Sequence, residues 1–158
     1  MQKTVQKHIN PATLPAPAGP YSQGILSTGP GQWLHIAGQI GVDKDGNCAQ
    51  GMTAQAERAW FNLLEVLREA GMGVEHLVKV TTYVTEPSLL GEFAAVRAKY
   101  LEQVRPDAAR PDAAQPGAAQ PGAAQPVAAR PASTLIVVKA LARPEWLVEV
   151  EAVAFLPA

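Results

Sequence analysis

Glu149 and Glu151 are the two side chains whose types and spacing best suit acid–base chemistry. They stand one residue apart in 147–155, a segment that alternates as a strand does. Period two puts both carboxylates on one side, roughly 7 Å apart, together with Val153 and Phe155. Val148, Val150, Ala152 and Ala154 fall on the other side, which is wholly apolar and calls for a cover of helices. Two carboxylates on one strand face can divide acid and base roles if the face lines a pocket. If it meets water they are ordinary surface charge. The segment by itself leaves both readings open.

The elements that must position this pair follow from the rest of the pattern. Residues 134–140 are rich in aliphatic and β-branched side chains, and Ala142, Arg143, Pro144 and Glu145 separate them from 147–155. Because Pro144 cannot donate to a ladder, these two runs read as strands folded back on each other. Further upstream, residues 3–9 form a short strand candidate ended by Asn10-Pro11. Residues 25–28 and 32–37 flank Gly29-Pro30-Gly31, a hairpin signal. Residues 38–51 read as loop, with Asp45-Gly46 as its turn.

From Thr53 the period becomes helical. Trp60, Leu63, Leu64 and Leu67 follow i, i+3, i+4, i+7, with Thr53 as candidate cap and Gly71 as the stop. Residues 77–84 alternate as a strand, and Pro87 opens a second helix with the stripe Leu89, Phe93, Val96 and Tyr100, running out near Val104. The order β-β-β-α-β-α-β-β predicts an α+β fold, one sheet with two helices on one face. The bare opposite face predicts an oligomer.

The 158 residues suit one domain spanning 1–158. Residues 105–129 interrupt it with a pentapeptide repeat, RPDAA-RPDAA-QPGAA-QPGAA-QPVAA, after which the chain continues RPAST. Proline in every unit excludes continuous helix, and no large apolar group is present to repay ordering. The expectation is a polyproline-II-leaning surface loop inserted by expansion of one unit.

A net charge of −1 and the lack of a basic block argue against a nucleic-acid surface. The lone Cys48 excludes an internal disulfide and fits a reducing, cytoplasmic setting. With no histidine near it in sequence, it reads as a bland rather than a reactive thiol. No apolar run reaches the length of a membrane span, and the N-terminal residues lack a signal-peptide core.

Several stretches in this order resemble one family: APAGPYSQG, HIAGQIGVD, REAGMG, VKVTTYV, EFAAVRAKYLEQV and PAST followed by LVEVEAVA. The resemblance is to the Rid (reactive intermediate deaminase, YjgF-like) family, and it covers the chain apart from the repeat. It implies a chorismate-mutase-like fold, a homotrimer, and small-molecule clefts between subunits. It also implies hydrolysis of 2-imino acids to 2-oxo acids and ammonia without metal or cofactor. Carried over by position, Tyr21 matches the cleft tyrosine and Glu149 the glutamate that positions water. Gly38 and Gln39 match a Ser-Gly-Gln turn whose serine is replaced by Ala37. Arg97 stands where the deaminases carry asparagine.

The family's carboxylate-gripping arginine is missing. With Ser133 aligned to the serine of Pro-Ala-Arg-Ser, Ala132 takes the arginine's place. A guanidinium makes two parallel charge-assisted hydrogen bonds to a carboxylate and alanine makes none. Arg130 and Arg97 are the candidate replacements, each also readable as an ordinary exposed side chain. Two functions therefore stand side by side. One is an imine or enamine deaminase whose substrate differs from 2-iminopropanoate, with Glu149 catalytic and Tyr21, Gly38, Arg97, Arg130 and Ser133 binding. The other is a non-catalytic member that binds a small metabolite. Some relatives carry an endoribonuclease label, which the charge balance does not support.

Overall fold

The computed structural model describes residues 5–17, 19, 21–102 and 129–158. The elements are β1 (Val5–Ile9), β2 (Gly24–Thr28), β3 (Gly31–Ile40), α1 (Met52–Glu69), β4 (Leu77–Val84), α2 (Leu90–Leu101), β5 (Ala132–Val137) and β6 (Val148–Pro157), with short 3₁₀ turns before β4 and α2. This is the expected α+β order. The repeat assigned to 105–129 lies outside the described residues apart from Ala129. That residue is buried, and its N–H donates to the Leu101 carbonyl at 2.9 Å, tying the start of β5 to the end of α2.

The main sheet has the order β3-β6-β4-β5, while β1 and β2 form an antiparallel ribbon of their own. β6 runs antiparallel to both β3 and β4, and β5 runs parallel to β4. Both expected hairpins are therefore corrected. β4 lies between β5 and β6, so residues 138–147 bridge two strands that are not neighbours. Around Gly29-Pro30-Gly31 the chain turns a corner from the ribbon into the sheet. There Gly31 lies against the Phe155 ring, where a Cβ would come within 2.4 Å of it. That contact and the Ala158 N–H bond to the Pro30 carbonyl (3.1 Å) hold β3 on β6 rather than on β2.

One sheet face carries the helices. Val148, Val150, Ala152 and Ala154 are buried there with Val80 and Val84, beneath Trp60, Leu63 and Leu67 of α1 and Phe93, Val96 and Tyr100 of α2. Trp60 and Tyr100 stack with ring centroids 6.0 Å apart, and the Tyr100 hydroxyl donates to a Glu57 carboxylate oxygen at 2.7 Å. α1 begins two residues earlier than the Thr53 cap implied. Gly51, at φ 79°, occupies the cap position, and the Thr53 hydroxyl donates instead to Glu92 at 2.8 Å. Gly71 ends the helix at φ 71°, as its left-handed freedom predicts.

On the other face, Phe155 is buried beside Trp33, their ring centroids 4.7 Å apart. Trp33 is 52% exposed there, and edge strand β5 leaves Leu135, Ile136 and Val137 each more than 40% exposed.

Candidate functional site

Glu149 is fixed by what lies beneath it. β3 breaks register with β6 between Ile36 and Gln39, which bulges Ala37 and Gly38 out of the ladder. The Glu149 side chain packs directly on Gly38: a Cβ there would stand 1.8 Å from Oε1 and 2.6 Å from Cδ. Only glycine leaves that space. The far end of the bulged strand is pinned by Asn62 of α1, whose Nδ2 donates to the carbonyls of Ile40 (3.2 Å) and Val42 (2.9 Å).

The start of β6 is held with similar care. Buried Gln55 donates to the Glu145 carbonyl at 2.8 Å and accepts the Leu147 N–H at 2.8 Å, satisfying an amide that burial would otherwise penalise. These bonds set the register that aims Glu149 away from the helices.

The neighbouring strand supplies Tyr83 and Thr81, opposite Glu149 and Glu151 respectively. The Tyr83 hydroxyl donates to Glu151 Oε1 at 3.3 Å. Desolvation first, and the two carboxylates after it, push the Tyr83 phenol above its ordinary pKa, so it remains a proton donor at neutral pH. The sequence reading passed over Tyr83. Its place on the polar side of β4 was legible, but its pairing across to the glutamates was not.

The remaining candidates gather at the other end of the sheet. Ser22 bridges to Ala132, and its N–H donates to the Pro131 carbonyl at 3.2 Å, which lays Tyr21 along the outer edge of β5. Arg97, on α2, is near Tyr21. Burial pushes its guanidinium pKa down and the tyrosine opposes that shift. Arg130 is exposed at the entrance to β5. Ser133 pairs with buried Val80 and so turns toward the helix side, not toward Glu149. Ala132 pairs with Lys79 on the open face.

Two groups of candidates therefore exist, one at Glu149 and Gly38 and the other at Tyr21, Arg97 and Ala132. Across β4 their register positions are Tyr83 for Glu149 and Lys79 for Ala132. Four residues at 3.3 Å each separate them by about 13 Å along the strands, and two strand spacings add about 10 Å across. Between them, a depression of about 420 Å³ is lined by His35, Ala37, Lys79, Thr81, Glu151 and Val153. Cys48 lies away from both groups beside Glu145, and burial first, then that carboxylate, push its thiol up, disfavouring thiolate. Among the described residues no cluster of His, Cys, Asp and Glu could hold a metal ion, and no helix is long and apolar enough to cross a membrane.

The family profile described as Endoribonuclease L-PSP matches residues 12–156 of the chain. The chain belongs to the Rid family. A RutC family protein of Synechocystis is 40% identical over 97 residues, 60% of this chain and 70% of that one. A Salmonella typhimurium protein named 2-iminobutanoate/2-iminopropanoate deaminase is 36% identical over 97 residues, 61% of this chain and 71% of that one. Among solved structures, YyfB of Yersinia pestis, a Rid protein described as of unknown function, superposes with TM-score 0.71 at 32% identity, covering 96% of this chain and 98% of that one. RidA of an Antarctic Psychrobacter shares the Rid fold at TM-score 0.59 and 24% identity, covering 95% and 99%.

Proposed function

We propose that this Rid protein hydrolyses a reactive imine or enamine to a carbonyl compound and ammonia. The observation that carries the reading is the seat of Glu149 against the Gly38 bulge, which places one carboxylate on the open sheet face. In the reaction, Glu149 accepts a proton from water as the water oxygen bonds to the imine carbon. Returned to nitrogen, that proton gives a carbinolamine; as the C–N bond then breaks, the carbinolamine hydroxyl proton passes through Glu149 to the departing nitrogen, so that the carbonyl compound and ammonia leave.

Within one chain the Ala132 group is too far from Glu149 for a small imino acid to touch both. The cleft is therefore completed between copies, which agrees with the exposed Trp33 and β5 edge and with the homotrimer that the family resemblance implies. Tyr21, Gly38, Arg97 and Arg130 would line it; the orientation of Ser133 makes it a support for β5. Ala132 in place of the arginine argues for a substrate other than 2-iminopropanoate. It also favours the second reading, a non-catalytic cleft that only binds a metabolite.

An amino-acid oxidase generating a panel of 2-imino acids in situ, with semicarbazide trapping, separates the two. Accelerated imine loss that disappears in Glu149→Gln supports hydrolysis. Imine loss at the spontaneous rate across the panel supports the binding role.

A further inference from the structure

We infer that Tyr83 holds the second hydrogen of the water that attacks the imine, and that Glu151 positions Tyr83 for that role. The inference deepens the proposed function, and it rests on that reading for Glu149 as the group that takes the first hydrogen.

Three observations place the phenol there. Tyr83 is the register partner of Glu149 in the antiparallel β4–β6 ladder, and directly opposed residues share a sheet face. Gly38 lies against the Glu149 carboxylate from the β3 side, so Tyr83 flanks it on the other. The Tyr83 hydroxyl also donates to Glu151 Oε1, so the ring leans from the Glu149 position toward the next carboxylate on the face. Among the described residues, finally, no ion pair engages Glu149 or Glu151. The partner of Glu151 is a neutral phenol.

Where the phenol hydrogen goes decides what Tyr83 can offer. A tyrosine hydroxyl both donates and accepts. With its hydrogen on Glu151, its oxygen meets a ligand as an acceptor. At 3.3 Å that bond is longer than a tight hydroxyl–carboxylate contact, which leaves the oxygen room to settle toward a water beside Glu149. Desolvation first, then Glu151 and Glu149, hold the phenol above its ordinary pKa, so it keeps its hydrogen at neutral pH.

Other hydroxyls are placed less well. Thr81 pairs with Glu151 rather than Glu149, and its side chain is short. Tyr21 lies along the outer edge of β5, two strands from β6.

A water between Glu149 and Tyr83 donates one hydrogen to each, which turns an oxygen lone pair toward the imine carbon. As the O–C bond forms, the hydrogen on the Glu149 side passes to the carboxylate. The other stays on oxygen and becomes the carbinolamine hydroxyl, whose proton later leaves through Glu149. Tyr83 itself releases no proton. Holding both hydrogens orients the nucleophile before attack, a gain that appears in kcat.

Steady-state kinetics on the oxidase-generated 2-imino acids test this in wild type, Tyr83→Phe, Glu151→Leu, Glu151→Gln and the double variant Tyr83→Phe with Glu151→Leu. A second arm labels tyrosine Cζ isotopically and follows the Tyr83 signal by NMR through a base titration, Tyr83→Phe supplying the assignment. Sedimentation mass and melting profile serve as folding controls. Tyr83→Phe is expected to lower kcat about tenfold, the scale of one hydrogen bond, with KM little changed. Glu151→Leu removes the acceptor and should lower kcat severalfold, whereas Glu151→Gln keeps an acceptor and should retain most of the rate. In the Tyr83→Phe background Glu151→Leu should cost nothing further, because both act through one contact. Glu151→Leu should also bring the Tyr83 pKa down.

Folded Tyr83→Phe with wild-type kcat would overturn the inference, as would additive losses in the double variant or a Tyr83 titration indifferent to Glu151→Leu. Hydrolysis that needs Glu149 but ignores Tyr83→Phe sinks the inference alone. Imine loss at the spontaneous rate in wild type sinks the hydrolase reading and takes the inference with it.

Discussion

Gly38 and Glu149 are in van der Waals contact across the β3–β6 ladder, with no room for even a methyl group between them. The contact depends on a bulge that turns Ala37 and Gly38 out of register. It makes the glycine a positioning device for the carboxylate rather than a turn residue.

Replacing that glycine therefore has a specific consequence. In Gly38→Ala the new Cβ would overlap Glu149 Oε1, so the flexible side chain must rotate away while the fold persists. Imine hydrolysis should fall at least about tenfold through kcat, since misplacing a catalytic group costs rate more than binding. A circular-dichroism melt within a few degrees of wild type, together with the lowered kcat, is the expected pair of results.

Glu149→Gln preserves shape and removes the proposed base. Loss of a positioned general base lowers the rate by about 10² to 10⁴, and KM should change little. Steady-state kinetics that leave kcat within threefold of wild type would move the base elsewhere, with Glu151 the first alternative.

Assembly offers a third check. The exposed Trp33, Leu135, Ile136 and Val137 predict self-association through the open face and the β5 edge. Sedimentation equilibrium at micromolar concentration should give three chains per particle. Ile136→Lys should weaken that assembly.

Tyr100 gives a pH prediction away from the cleft. Burial first, and then its hydrogen bond to Glu57, push its phenol from 10.0 up to about 12. A folded-state pKa above the unfolded value favours the folded form fully below pH 10 and loses that contribution as pH rises toward 12. Urea unfolding from pH 9 to 12 should show this decline. Tyr100→Phe should flatten it and lower stability at pH 8 by about 1 kcal/mol, the typical value of one hydrogen bond.

The sequence by itself determined the element order, the apolar face of β6 and the helical stripes through Trp60 and Phe93, because these follow from periodicity along the chain. The stop at Gly71 and the family resemblance were legible for the same reason: each rests on residue types at short spacing. Strand neighbours were not legible in this way. An apolar run does not encode which run it pairs with, so placing β4 between β5 and β6 was left to packing. That placement turned an expected hairpin into two distant ladders and set Lys79 beside Ala132. It also set Ala132 and Glu149 four register positions and two strands apart, a consequence of strand register that only the assembled sheet decides.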